Sequence, residues 1–132
     1  MSRTAVVTGA AGDMGSALCT ALSEQGWRVV GVDVQPGTTM TADVCDAPRM
    51  AALAAEIGSD LGLWVNAAGV LAPGKPGVTD LSAWDRLLRI NLTGTYVGCE
   101  AAFAVMKAHG QGGRIVNVGS LAGQVGGAPG MH

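Results

Sequence analysis

The chain has 132 residues, 48% of them hydrophobic and 14% charged, with a net charge of −2 at neutral pH, which bounds it to one domain with room for a core. Arg28, Arg49, Arg86, Arg89 and Arg114, five of its six arginines, are scattered along the length, so the clustered basic face of a nucleic-acid binder is not expected. Cys19, Cys45 and Cys99 form no CxxC pair and only two histidines accompany them, so they read as small buried hydrophobes rather than metal ligands; with neither a signal core nor a membrane-length apolar run, no membrane partner is expected and the expected compartment is the reducing cytoplasm.

The first element is a short buried strand at Ala5, Val6 and Val7. The turn Thr8, Gly9, Ala10, Ala11, Gly12, Asp13, Met14, Gly15 follows, then a helix with Leu18 and Leu22 on its apolar face. A backbone turning this sharply visits φ > 0, and only residues without Cβ let peptide N–H groups come close to a pyrophosphate. Gly9, Gly12, Asp13, Met14 and Gly15 are therefore candidates for a phosphate cradle. Residues 28–34 read as a second buried strand ending near Asp33, which stands 18 residues after Gly15, close to the about 20 expected of an acid that binds an adenosine ribose. A carboxylate there accepts from a 2′-hydroxyl and repels a 2′-phosphate. Val34 and Gln35 follow in place of an arginine, and Asp13 adds a second negative charge nearby, so NAD is expected rather than NADP.

A Pro36, Gly37 turn leads to residues 38–44, a polar strand suited to a sheet edge. Asp46 and Pro48 open a helix whose apolar face is Ala51, Leu53, Ala54 and Ile57 and which Gly58 ends. Residues 61–67 read as the next buried strand, with Trp64 as packing, and Gly74, Pro76 and Gly77 as a loop. Asp80 or Ser82 then caps one long helix over residues 83–109, with Trp84, Leu87, Leu88, Leu92, Val97, Phe103 and Met106 on its apolar face and Tyr96 in the core or an interface. Residues 114–119 form a fifth strand, and the last dozen residues read as a glycine-rich loop. Strands alternating with helices specify a parallel α/β sheet with right-handed crossovers, here as a single domain over residues 1–132.

Ordered motifs at five places make the chain resemble the short-chain dehydrogenase/reductase family. The glycine turn is similar to that family's TGxxxGxG, with Asp13 where the middle glycine stands. Asp43 and Val44 are similar to its adenine-contacting pair. Asn66, Ala67, Ala68 and Gly69 are similar to its NNAG motif, with Ala67 in place of the second Asn. Asn91, within INLTG, matches its active-site asparagine, and Ser120, within RIVNVGSLAG, its catalytic serine. The resemblance implies a Rossmann-like, doubly wound sheet of order 3-2-1-4-5, incomplete relative to the family. It also implies an NAD-dependent oxidoreductase that passes hydride between nicotinamide and a small-molecule secondary alcohol or ketone. Ser120 would hold the substrate oxygen, Asn91 a water, and Asn66 the end of the sheet. Taken singly, Asn91 and Ser120 serve equally well as structural residues, bonding a neighbouring backbone and the following loop.

Two departures qualify that expectation. Asp13 can cap the helix or crowd and repel the pyrophosphate. The family's Tyr-x-x-x-Lys is absent: the one tyrosine, Tyr96, is followed four residues later by Glu100, the lysines are Lys75 and Lys107, and the family spacing would put the tyrosine just after His132. Losing general acid/base catalysis costs about 10²- to 10⁴-fold, so this chain alone is expected to be inactive without the segment after residue 132. The alternative is a catalytically inactive nucleotide-binding or interaction module. A sheet ending at its fifth strand leaves an edge to cover, so the expected partner is a second copy, as a dimer or tetramer, or a complementing C-terminal fragment. Ser120, Val125 and Met131 suggest an apolar substrate site.

Overall fold

The structure is a computed structural model and describes residues 3–71 and 80–126. The loop expected at Gly74, Pro76 and Gly77 and the wall residue Met131 lie outside the described residues. Strand β1 (Thr4–Thr8) is buried along its whole length, as an apolar, β-branched run in the centre of a parallel sheet should be. It pairs on one side with β2 (Arg28–Asp33), Val6 opposite Val30, and on the other with β4 (Leu61–Asn66), Val6 opposite Trp64. β3 (Met40–Thr41) joins β2 and β5 (Arg114–Asn117) joins β4, all parallel, giving the order β3-β2-β1-β4-β5. This is the 3-2-1-4-5 sheet that the motifs imply.

Helices cover both faces. α1 (Asp13–Glu24) lies against β1 and β2, and the Cα of Gly31 faces its Cys19, so that a Cβ at Gly31 would come 3.5 Å from the sulfur. The next residue, Val32, points the other way. There it joins Val6, Trp64, Met50, Leu53 and Ala102 in the core under α2 (Ala47–Ile57) and α4 (Gly94–His109). Local signals set the helix starts: Asp46 accepts from the Arg49 N–H at 3.0 Å. Asp80 accepts from the Ala83 N–H at 3.1 Å and from the Ser82 hydroxyl at 2.7 Å.

Four expectations are corrected. Of the strand expected over residues 38–44, only Met40 and Thr41 pair, because the link from β2, residues 34–39, is far shorter than the dozen or more residues a parallel crossover ordinarily takes. The single long helix is two, α3 (Leu81–Leu88) and α4, separated by a π-helical turn over Arg89–Thr93. Of its expected apolar face, Leu87 and Met106 are buried, but Trp84, Leu88, Leu92 and Phe103 are exposed, as is Tyr96. The helix is apolar on two sides and only one meets the sheet. The fifth strand stops at Asn117, and the stretch beyond it, expected to be loop, contains a single helical turn, α5 (Ala122–Val125). The cysteines are half-buried rather than buried; burial pushes the Cys19 and Cys45 thiols above their ordinary value, with the Asp43 carboxylate adding to it at Cys45.

Candidate functional site

At the end of β1 the chain turns at Gly9, whose φ is +70°; a Cβ there would come within 2.7 Å of the Ala68 backbone. The Gly12 N–H donates to the Gly9 carbonyl at 3.1 Å. Gly15, the buried residue of α1, lies so close to the Gly9 carbonyl that a side chain has no room. α1 thus begins flush against the turn. Its N-cap, Gly12, brings no side chain to the first-turn N–H groups, and Asp13, as the first helical residue, does not cap it either. Those N–H groups are left to an outside acceptor.

Thr8 ties this turn to the end of β4. Its hydroxyl oxygen accepts from the Ala67 and Ala68 N–H groups at 3.1 and 3.2 Å. At the end of β2 the two oxygens of Asp33 take separate donors, the Ala11 N–H at 3.0 Å and the Gln35 N–H at 2.9 Å. The carboxylate is therefore pinned beside the glycine turn, with lone pairs to spare. Asp43 accepts from the Cys45 N–H at 2.8 Å and faces the Arg89 guanidinium at 3.6 Å. Val44 is buried against Gly94, where a Cβ would come within 2.5 Å of the valine methyl.

These elements enclose a cleft of about 350 Å³. Gly9, Gly12, Asp13, Met14, Gly15, Asp33, Asp43, Val44, Ala67 and Gly69 all line it, which is every expected cofactor residue except Asn66. Asn66 sits behind the wall at 3% exposure. It accepts from the Trp64 indole N–H at 2.9 Å and donates to the Asn117 side chain at 2.8 Å, binding β4 to β5. The cleft also takes Arg86 and Ile90 from α3 and the π turn, residues that the sequence motifs do not single out. The only signal in the sequence is their i, i+4 spacing, which puts them on one helix face.

A second hollow of about 420 Å³ shares Ala67, Ala68, Gly69 and Val70 with the first and adds Asn91 and Ser120. The two residues expected to do chemistry thus stand on one hollow, beside the glycine-lined cleft. The Asn91 amide is already occupied: its oxygen accepts from the Val70 N–H at 2.8 Å and its nitrogen donates to the Val70 carbonyl at 2.9 Å. Ser120 is exposed, and its oxygen accepts from the Ala122 N–H at 3.2 Å, which leaves its own proton to donate. Val125 lines neither hollow. Among the described residues no group of three or more His, Cys, Asp and Glu could hold a metal, and no helix is long and apolar enough to cross a membrane.

A family model for short chain dehydrogenase matches residues 3–131. The cis-4-hydroxycyclohexanecarboxylate dehydrogenase of Sinomonas cyclohexanicum is 40% identical over 144 aligned residues, covering 94% of this chain and 57% of the relative. The D-threitol dehydrogenase of Mycolicibacterium smegmatis is 36% identical, covering 93% and 54%. A 3-alpha-(or 20-beta)-hydroxysteroid dehydrogenase of Mycobacterium tuberculosis is 31% identical, covering 96% and 54%. The chain spans somewhat over half the length of these relatives. With the parallel 3-2-1-4-5 sheet, the glycine cradle and a family match running almost end to end, the chain belongs to the short chain dehydrogenase family.

Proposed function

We propose that residues 1–132 form the cofactor-binding part of an NAD(H)-dependent oxidoreductase that moves hydride between nicotinamide and the carbinol carbon of a secondary alcohol. The observation that carries this is that the glycine-lined cleft and the hollow holding Asn91 and Ser120 share the stretch Ala67, Ala68, Gly69 and Val70 in their linings. The cleft fits a dinucleotide. Gly9 and Gly15 leave no room for side chains at its floor, the uncapped N-terminus of α1 offers N–H donors to a pyrophosphate, and the pinned Asp33 carboxylate offers acceptors to ribose hydroxyls. Asp33 with no cation on residues 34–39 supports NAD over NADP. The nicotinamide, when bound, supplies the hydride carrier.

The chain's own residues orient the reactants. The Ser120 hydroxyl donates to the substrate oxygen, and Asn91 fixes the Val70 backbone at the junction of the two hollows. Neither moves a proton at neutral pH unaided, so the acid/base group comes from residues outside 1–132, in keeping with the share of the relatives that the chain covers. Two of those relatives are named for hydroxylated cyclic compounds, which supports a secondary alcohol as the substrate class. The exposed apolar row on α3 and α4 supports a second copy as partner, and three free cysteines fit a reducing cytoplasm.

NADH titrated into the chain should bind with enhanced nicotinamide fluorescence; no binding at about 1 mM, the weak end of specific affinity, would overturn the cofactor reading. The polypeptide extended through a Tyr-x-x-x-Lys segment should reduce NAD with a secondary alcohol. Ser120→Ala should then lose about 10²-fold or more in kcat, and unchanged turnover would remove Ser120 from the mechanism.

A further inference from the structure

We infer that Arg86 anchors the base of the dinucleotide, laying its guanidinium on the adenine ring at the far end of the cleft. The inference rests on the dinucleotide reading above and adds a residue to it. Besides the glycine turn and Asp33, the cleft is lined by Val34, Ala42, Asp43, Val44 and Ile90. Apart from the Asp43 carboxylate, which already faces Arg89, these side chains are aliphatic, as a purine's faces require. Arg86 lies one helical turn before Ile90 and lines the same cleft, while Leu87 beside it is buried.

Its charge is otherwise unanswered. Arg28 faces Asp60, Arg49 faces Glu56 and Arg89 faces Asp43, but among the described residues Arg86 has no carboxylate within 4.0 Å. A planar guanidinium with no carboxylate partner among the described residues, lining a cleft together with aliphatic side chains, is suited to a π-face. The rival use of a cation near an adenosine is to hold a 2′-phosphate. Here the Asp33 carboxylate, both of whose oxygens are fixed by backbone donors, lines the same cleft as Arg86 and opposes a phosphate there.

The test is competition against bound NADH by AMP, nicotinamide mononucleotide and NADPH, for the wild-type chain, Arg86→Ala and Arg86→Lys. AMP and nicotinamide mononucleotide carry the same phosphate and differ in the base, so a general charge effect moves both. Arg86→Ala should weaken AMP about three- to tenfold, the range of a cation–π contact at a partly exposed site, and leave nicotinamide mononucleotide within about twofold. Arg86→Lys should recover little of the loss, because an ammonium does not stack. The unfolding temperature without ligand should not change. AMP affinity unaltered in Arg86→Ala, or both mononucleotides weakened together, overturns the inference while the NADH reading stands. A loss confined to NADPH assigns Arg86 to a phosphate instead. Wild-type chain that binds no NADH overturns both.

Discussion

Asp13 sits where the resemblance calls for a glycine, at the first position of α1 and on the wall of the cleft. Its carboxylate favours the helix by opposing the macrodipole, worth about 0.3–1 kcal/mol at an exposed site. The same charge opposes a pyrophosphate at the same N-terminus. Asp13→Asn should therefore tighten NADH binding about two- to tenfold while lowering stability by under about 1 kcal/mol, and the binding gain should shrink as salt screens it. A gain that persists undiminished at 1 M salt, or no gain at all, would show that the cradle does not feel this charge. Asp33 acts in the other direction. Asp33→Asn removes a charged acceptor worth about 1.5–3 kcal/mol, so NAD should weaken about tenfold or more and the preference over NADP should fall with it. Parallel titrations of both cofactors read this directly. Gly98 belongs to the scaffold: its Cα lies against the Asn66 and Trp64 side chains, so Gly98→Ala should cost about 1–3 kcal/mol by overpacking, seen as a lower urea midpoint.

Among the elements, the π turn at Arg89–Thr93 does the most positioning. One extra residue per turn interrupts the helix where Asn91 must face Val70, and π turns recur at such places. Thr95 donates its hydroxyl to the Asn91 carbonyl at 2.9 Å. Asn91→Ala leaves the Val70 N–H and carbonyl without that partner and should cost about 1–2 kcal/mol, lowering the thermal midpoint by several degrees. The two-residue β3 is the opposite case, held to β2 over Met40 and Thr41 and by the Ala42 N–H on the Asp33 carbonyl at 2.9 Å. Hydrogen exchange should find the Ala42 amide protected on the order of a hundredfold less than amides of the buried β1. Neither element was legible from periodicity. An apolar pattern of period 3.6 runs through a π turn unbroken. Residues 38–44 look strand-like one by one, and only the shortness of the link from β2 limits how far they pair.

At the scale of the whole molecule, Trp84, Leu88, Leu92 and Tyr96 stand at every fourth residue along α3, the π turn and α4, and all are 40–63% exposed. A row this long on one face is what a covered surface looks like. Leu88→Glu with Tyr96→Glu should lower the sedimenting mass if a second copy covers the row, while exposed positions change stability by no more than about 0.5 kcal/mol each. A mass that is monomeric for wild type and variant alike would leave the row to another partner.

The sequence by itself determined the glycine cradle, the carboxylate at the end of the second strand and the one just beyond the third, because each depends on local chemistry: φ > 0 at Gly9, a missing Cβ at Gly15, an acid after a strand; the sheet order followed from the family resemblance that the motifs carry. Only the tertiary structure decided that Asn91 is bound to Val70 and that Arg86 reaches the cleft. It also decided that Asn66 stands behind the wall and that Trp84, Leu88, Leu92 and Phe103 of the long helical segment face outward. Those outcomes depend on which side of a helix meets the sheet and on how one π turn rotates α4 relative to α3, and a one-dimensional pattern carries neither.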